Sequence, residues 1–125
     1  VLADVPAFSG FSVDDPERVL PFYRDVLGLR VELADGMLRL HLGGGTDVLV
    51  YPKGGAHAPG SYTVLNFPVR DVAATVGALR ERGVAFERYA GTAVETDEDF
   101  VFRGGGPLIA WFTDPAGNTL SVIEA

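Results

Sequence analysis

Few side chains in this sequence could do chemistry. There are two histidines, His41 and His57, one tryptophan, Trp111, and no cysteine. Without Cys there is no disulfide, no thiol nucleophile and no thiolate metal site. No serine stands in a Gly-x-Ser-x-Gly elbow, so that route to a nucleophile triad is closed. His41 falls on an expected strand near Arg39, with no carboxylate evident to orient it, and reads as a surface or hydrogen-bonded histidine before a general base. His57 lies in a Pro- and Gly-rich stretch and reads as solvated. The acid run Glu95-Thr96-Asp97-Glu98-Asp99 reads as a solvated loop, with a lid or a weak hard-cation site as the sharper alternative; its spacing matches no calcium loop. Gly43-Gly44-Gly45 and Gly104-Gly105-Gly106 lack the Lys-Ser/Thr and the helix start of a phosphate loop, so they read as turns or rims.

The elements that must position these groups follow from turn chemistry and periodicity. The stretch from Trp111 to Glu124 predicts a hairpin around Asp114-Pro115-Ala116-Gly117-Asn118. Asp114 can bond backbone two residues on, Pro115 presets φ, and Gly117 supplies the positive φ of a type I turn with a bulge. Pairing Asp114 with Asn118 sets Trp111 opposite Ser121 on one face. Earlier in the chain, Phe8–Val13 alternates as a strand. Asp15 can cap a helix that Pro16 opens, with Val19, Phe22, Tyr23, Val26 and Leu27 at helical spacing and Gly28 as the stop. Pro21 removes one helical hydrogen bond and predicts a tight or kinked first turn. Strands are expected over 29–33 and 37–42, joined by Asp35-Gly36, and over 47–51.

The order then begins again. Phe11, Val13 and Asp15 recur 56 positions on as Phe67, Val69 and Asp71. A strand over 62–69 precedes a helix that Asp71 caps and Gly83 closes, then a strand over 86–89, a long polar loop over 90–106 and the last hairpin. The expectation is one α+β domain over 1–125, with β-α-β-β-β modules at 5–53 and 61–125 and a linker at 52–60. A half alone would leave one sheet face bare, so the two modules are expected to share a curved mixed sheet with helices outside and a cup within.

Composition bounds the function. The 125 residues carry a net charge of −7, with 47% hydrophobic and 22% charged residues. Nucleic-acid and anionic-membrane binding use clustered Lys and Arg, and this chain has one lysine, Lys53. No stretch approaches the roughly 18 apolar residues of a membrane span. Val1–Pro6 carries Asp4 and no basic residue, unlike a secretory signal, and the absence of Cys fits a reducing cytoplasm.

Three stretches carry a resemblance: Val13-Asp14-Asp15, then Phe22-Tyr23-Arg24-Asp25-Val26-Leu27-Gly28-Leu29, then Asp114-Pro115-Ala116-Gly117-Asn118. With the doubled module they make the chain resemble the vicinal oxygen chelate superfamily, which includes glyoxalase I, bleomycin-resistance proteins and extradiol dioxygenases. The resemblance covers nearly the whole chain. It implies four metal-ligand positions, which fall here at Phe8, Leu49, Val64 and Ser121. None offers an imidazole or carboxylate, and neither do their sequence neighbours.

What is left is a pocket without a metal: Phe8, Leu49, Tyr51, Val64 and Trp111 as apolar walls, with Ser12, Asn66 and Ser121 as polar points. Trp111 and Tyr51 could stack on a planar ligand or could simply be core. The expectation is a metal-independent small-molecule binder of the glyoxalase/bleomycin-resistance type, with no cofactor; the catalytic residues, if any, are unassigned. The resemblance also implies a homodimer. The alternative is a glyoxalase-type lyase or isomerase, or a dioxygenase, drawing on non-standard groups such as His41, Asp47 or Glu98. A pure interaction module would instead show a closed cup and an apolar patch elsewhere.

Overall fold

Strand alternation and two Asp-capped helices build the molecule, whose structure, a computed structural model, describes residues 1–125. The chain divides into two compact units, Val1–Ala58 and Pro59–Ala125. No helix is long and apolar enough to cross a membrane.

In the first unit, strand β1 (Ser9–Val13) leads to helix α1 (Pro16–Pro21) and a π-helical turn, Phe22–Val26. Strands β2 (Arg30–Ala34), β3 (Met37–His41) and β4 (Asp47–Pro52) follow. The sheet order is β1-β4-β3-β2, with β1 parallel to β4 and the other pairs antiparallel. The Asp15 carboxylate accepts from the Glu17 N–H, as a cap should. The first turn is tight, with Arg18 N–H bonded three residues back to Asp15 C=O at 3.1 Å, and Pro21 ends the α register, after which Leu27 N–H reaches back five residues to Phe22 C=O at 2.9 Å. Gly28, at φ +74°, then turns the chain out of the helix.

Alternation assigns the two faces of this sheet. Phe11, Val13, Val48, Val50, Leu38 and Leu40 are buried with Val19 and Tyr23, and the Tyr23 ring lies 6.2 Å from that of Phe11. Their sequence neighbours Gly10, Ser12, Leu49, Tyr51, Arg39 and His41 occupy the opposite face. Asp35-Gly36, at φ +55° and +73°, makes the expected tight turn between β2 and β3. The stretch after β4 is tied down by Lys53 N–H to Val13 C=O and Gly54 N–H to Asp14 C=O, and 54–56 form one 3-10 turn.

The second unit holds β5 (Thr63–Val69), α2 (Val72–Glu81), β6 (Ile109–Thr113) and β7 (Thr119–Glu124). The sheet order is β5-β7-β6, with β5 parallel to β7 and β6 antiparallel to it. The Asp71 carboxylate caps α2 through the Ala74 N–H. Val72, Val76, Val84, Phe86, Leu65, Ala110, Phe112, Leu120 and Val122 form the core.

The class is α+β, with two modules. The hydrogen bonds sort the strands into two mixed sheets, one per module, where one continuous sheet was expected. The expected strand over 86–89 also shrinks: Phe86 makes a single bridge with Phe112, Glu87 N–H bonds Trp111 C=O, and Tyr89 at φ +48° ends the extended run. The stretch 90–106 is not an open polar loop, because Thr96 and Val101 are buried within it and Phe102 bridges to Ile109.

The final hairpin turns on Asp114, which is buried. Its Oδ1 accepts from the N–H groups of Ala116 and Asn118, both at 2.9 Å, and its Oδ2 accepts from Asn118 Nδ2 at 3.1 Å. Gly117 stands at φ +87°. Removing a buried acceptor leaves several donors unpaired, so Asp114→Ala should lower stability by about 2 kcal/mol. Urea unfolding should show this as a lower midpoint with an unchanged slope.

Candidate functional site

The face of each sheet turned away from its helix is the candidate surface. In the second module the register aligns Asn66, Ser121 and Trp111 across β5, β7 and β6. Trp111 lies opposite Ser121, as the hairpin required. Ser121 is fully buried and its Oγ donates to Asn66 Oδ1 at 2.5 Å. Asn66 itself is exposed and Trp111 half-buried. Val64 sits at an irregularity in β5, between Thr63 and Leu65.

Two further aromatics gather at Trp111. The Tyr89 ring centroid lies 5.3 Å from it and that of Phe102 6.0 Å, both tilted. Partial burial pushes the Tyr89 phenol up, the Glu87 charge adds to that, and a side-chain hydrogen bond with Thr119 opposes both. The phenol is thus held neutral, a donor at the edge of an aromatic patch. Sequence reasoning missed Tyr89 and Phe102, because neither sits in a regular strand.

The acid run holds this patch in place. Asp97 Oδ1 accepts from the N–H groups of Asp99 and Val101 at 2.9 and 3.0 Å, and its Oδ2 accepts from Arg103 Nε at 2.6 Å. Glu95 Oε1 accepts from the Gly91 N–H. These carboxylates tie the segment to itself, with Asp97 bonded to the residues on either side of Phe102.

On the first module's sheet, His41 and Asp47 are register partners, and Arg39 pairs across to Leu49 on one side and Glu32 on the other. His41 Nδ1 donates to Asp47 Oδ1 at 2.8 Å, while His41 Nε2 lies 3.4 Å from Glu32 Oε2. The histidine that seemed to lack a carboxylate has one on each side. The signal was the glycine turn: Leu42 N–H bonds Thr46 C=O, which sets residue 41 against 47. Arg39 NH1 stands 3.6 Å from Asp47 Oδ2, a loose pair.

This cluster borders a hollow of about 300 Å3 whose lining includes Leu38, Leu49, Met37 and Ala34. A smaller hollow of about 160 Å3 adjoins it, bordered by Phe8, Val48 and the shared Arg39, Asp47 and Leu49. Phe8 and Leu49 thus meet at one place, and Phe8 is 69% exposed. Ser12 and Tyr51 are partners one row along the same face. Ser12 Oγ and His57 Nδ1 are hydrogen-bonded at 2.8 Å, so His57 is half-buried against β1 instead of solvated.

The four family ligand positions do not fit a metal. Phe8, Leu49 and Val64 have no donor atom, and the Ser121 hydroxyl is engaged by Asn66. No group of three or more His, Asp or Glu gathers within ligating reach of one point.

The family model described as "Glyoxalase/Bleomycin resistance protein/Dioxygenase superfamily" matches residues 7–122. No curated protein matches the sequence. Among solved structures, TnmS3, an antibiotic binding protein from Streptomyces sp. CB03234, is similar at 25% identity and a TM-score of 0.67, covering 97% of each chain. A member of the same superfamily from Sphaerobacter thermophilus is similar at 23% identity and 0.67, over 97% of this chain and 98% of that one. The oxidase ChaP-H1 shares the fold at 18% identity and 0.67, over 94% and 93%.

Asp97 offers a test of how the aromatic segment is anchored. Backbone hydrogen bonding from Val101, with help from Arg103 and Asp99, holds its carboxyl below the usual aspartate range, against a smaller effect of burial. The folded form therefore prefers the carboxylate. Its contribution to stability is present above the ordinary aspartate pKa and is lost as pH falls through the lowered one. In a pH titration by NMR, the Asp99 and Val101 amides should shift together, with a midpoint below that of a free aspartate.

Proposed function

The chain belongs to the glyoxalase/bleomycin resistance protein/dioxygenase superfamily, and from that premise we propose that it is a metal-independent small-molecule-binding protein. The observation that carries this is the second module's Asn66–Ser121–Trp111 row, with Tyr89 and Phe102 packed beside the indole. Aromatic surface with a few fixed polar groups suits a small, partly planar organic molecule. The hollow bordered by Leu49 and the adjoining one bordered by Phe8 support the same reading in the first module, where Ser12 and Tyr51 are further candidate contacts one row along the face; Val64 is a candidate contact of the second module. The likeness to an antibiotic binding protein supports a binding role. The four donor-poor family positions support the absence of a metal from it. A cytoplasmic homodimer completes the proposal.

A glyoxalase-type lyase or isomerase is the second reading, and one observation favours it. The Asp47 carboxylate can only accept a hydrogen bond, so it takes the Nδ1–H of His41 and orients the ring beside the hollow, as a general base is oriented, with Nε2 facing Glu32 at 3.4 Å. Turnover of a 2-oxo-aldehyde–thiol adduct, lost in His41→Gln, would put this reading first.

Trp111 is the only tryptophan, so its emission reports this site alone. Titration with a panel of planar aromatic compounds should shift or quench that emission saturably. Trp111→Leu should weaken binding of the best compound at least about tenfold, a loss of about 1.4 kcal/mol. A panel that leaves the emission unchanged while the protein stays folded would sink the binding role at this face. Native mass spectrometry of untagged protein, purified without chelator, should show a dimer mass with no metal ion. One divalent ion per chain would overturn the metal-independent part.

A further inference from the structure

The hollow on the first module's sheet has a charge balance that selects among ligands. Its border carries three carboxylates, Glu32, Asp35 and Asp47, against one guanidinium, Arg39, with His41 between two of the acids. None of the three is fully matched. Asp35 sits in the β2–β3 turn at φ +55° and takes part in no ion pair. Glu32 has only the long 3.4 Å contact to His41, and Asp47 shares itself between His41 and the loose 3.6 Å contact to Arg39. Leu38, Leu49, Met37 and Ala34 line the same hollow, which at about 300 Å3 is large enough for one small ring and its substituent. The exposed ring of Phe8 borders the adjoining hollow and offers a face to an apolar body or a cation.

From this geometry we infer that the hollow takes ligands that join a positively charged group, an ammonium or guanidinium, to an apolar body. This rests on the small-molecule reading above and names the ligand class. The cation lies toward Glu32 and Asp35, where unmatched negative charge collects. The apolar body lies along Leu49 and Met37. Arg39 works against the cation, so it sets the charge preference in the opposite sense to Glu32. A net charge of −7 on the whole chain adds a long-range attraction for cations.

The test uses three probes of one shape: benzyltrimethylammonium, benzyl alcohol and benzoate. Each is titrated into the full-length 15N-labelled chain at low salt, following the amides of Ala34, Arg39, His41, Asp47 and Leu49. The cation should move these amides most tightly. Its affinity should fall about three- to tenfold in the Glu32→Gln/Asp35→Asn double variant, rise by a similar factor in Arg39→Gln, and fall with added salt. Glu32 and Asp35 are exposed, so neither substitution threatens the core.

Benzoate or benzyl alcohol binding as tightly as the cation, or variants that leave the order unchanged, would overturn the inference while leaving small-molecule binding standing. If none of the three probes moves these amides, the inference fails, and with it any binding role for this hollow. The Trp111 emission reads the other module separately.

Discussion

Each module depends on one contact: its first strand pairs in parallel with its last. β1 lies beside β4 and β5 beside β7, and these pairs join residues far apart in sequence. A parallel pair cannot be closed by a tight turn and needs a crossover, which the Asp-capped helices supply. Once the crossover is fixed, the helix lies on one face of its sheet. Alternation then divides every strand into residues that pack under the helix and residues that do not. Val48 and Val50 are buried while Leu49 is left for the other face; Leu120 and Val122 pack while Ser121 stands opposite Trp111. The candidate surfaces are thus by-products of the pairing that makes the fold.

Sequence reading was strong where chemistry is local. Asp15 and Asp71 were readable as caps because a short acceptor before an apolar helical run has few other uses. Asp114 and Gly117 announced their turn because only certain residues satisfy its backbone. The pairing of Trp111 with Ser121 followed by counting outward from that turn. The repeat of Phe11, Val13 and Asp15 gave the doubled architecture, though it could not tell one shared sheet from two.

Where the sequence misled, the deciding contacts were not local. The segment 86–106 looked like a strand and a polar loop. Its course is set by single backbone bonds to β6 and by two residues in left-handed conformations, Tyr89 and Phe100, which no sequence pattern marks. Tyr89 and Phe102 consequently reached Trp111 unseen. His41 was judged alone, although the same turn counting that served Trp111 would have set it against Asp47. The acid run read first as a solvated loop, with a lid or a cation site as the alternative; two of its four carboxylates, Glu95 and Asp97, instead accept from backbone within the segment. A carboxylate's partners, more than its neighbours in sequence, decide whether it is free.

The alternation of the strands also bears on how such a chain can change over generations. Residues under the helices carry the packing, and altering them costs stability. Residues on the opposite face, such as Met37, Leu49 and Tyr51, carry little of it, since none is fully buried. In β3, β4 and β6 the two sets interleave one by one, so an adjacent pair there holds one constrained and one permissive position, whereas β7 is buried from Thr119 to Val122. The chemistry of that face can drift through single substitutions at the permissive ones while the hydrogen-bonded ladder and the core stay as they are. Gly10 is the tight point on its face: a methyl group there would come within 3.1 Å of the Leu49 carbonyl oxygen, so a side chain at that position requires β4 to give by a few tenths of an ångström.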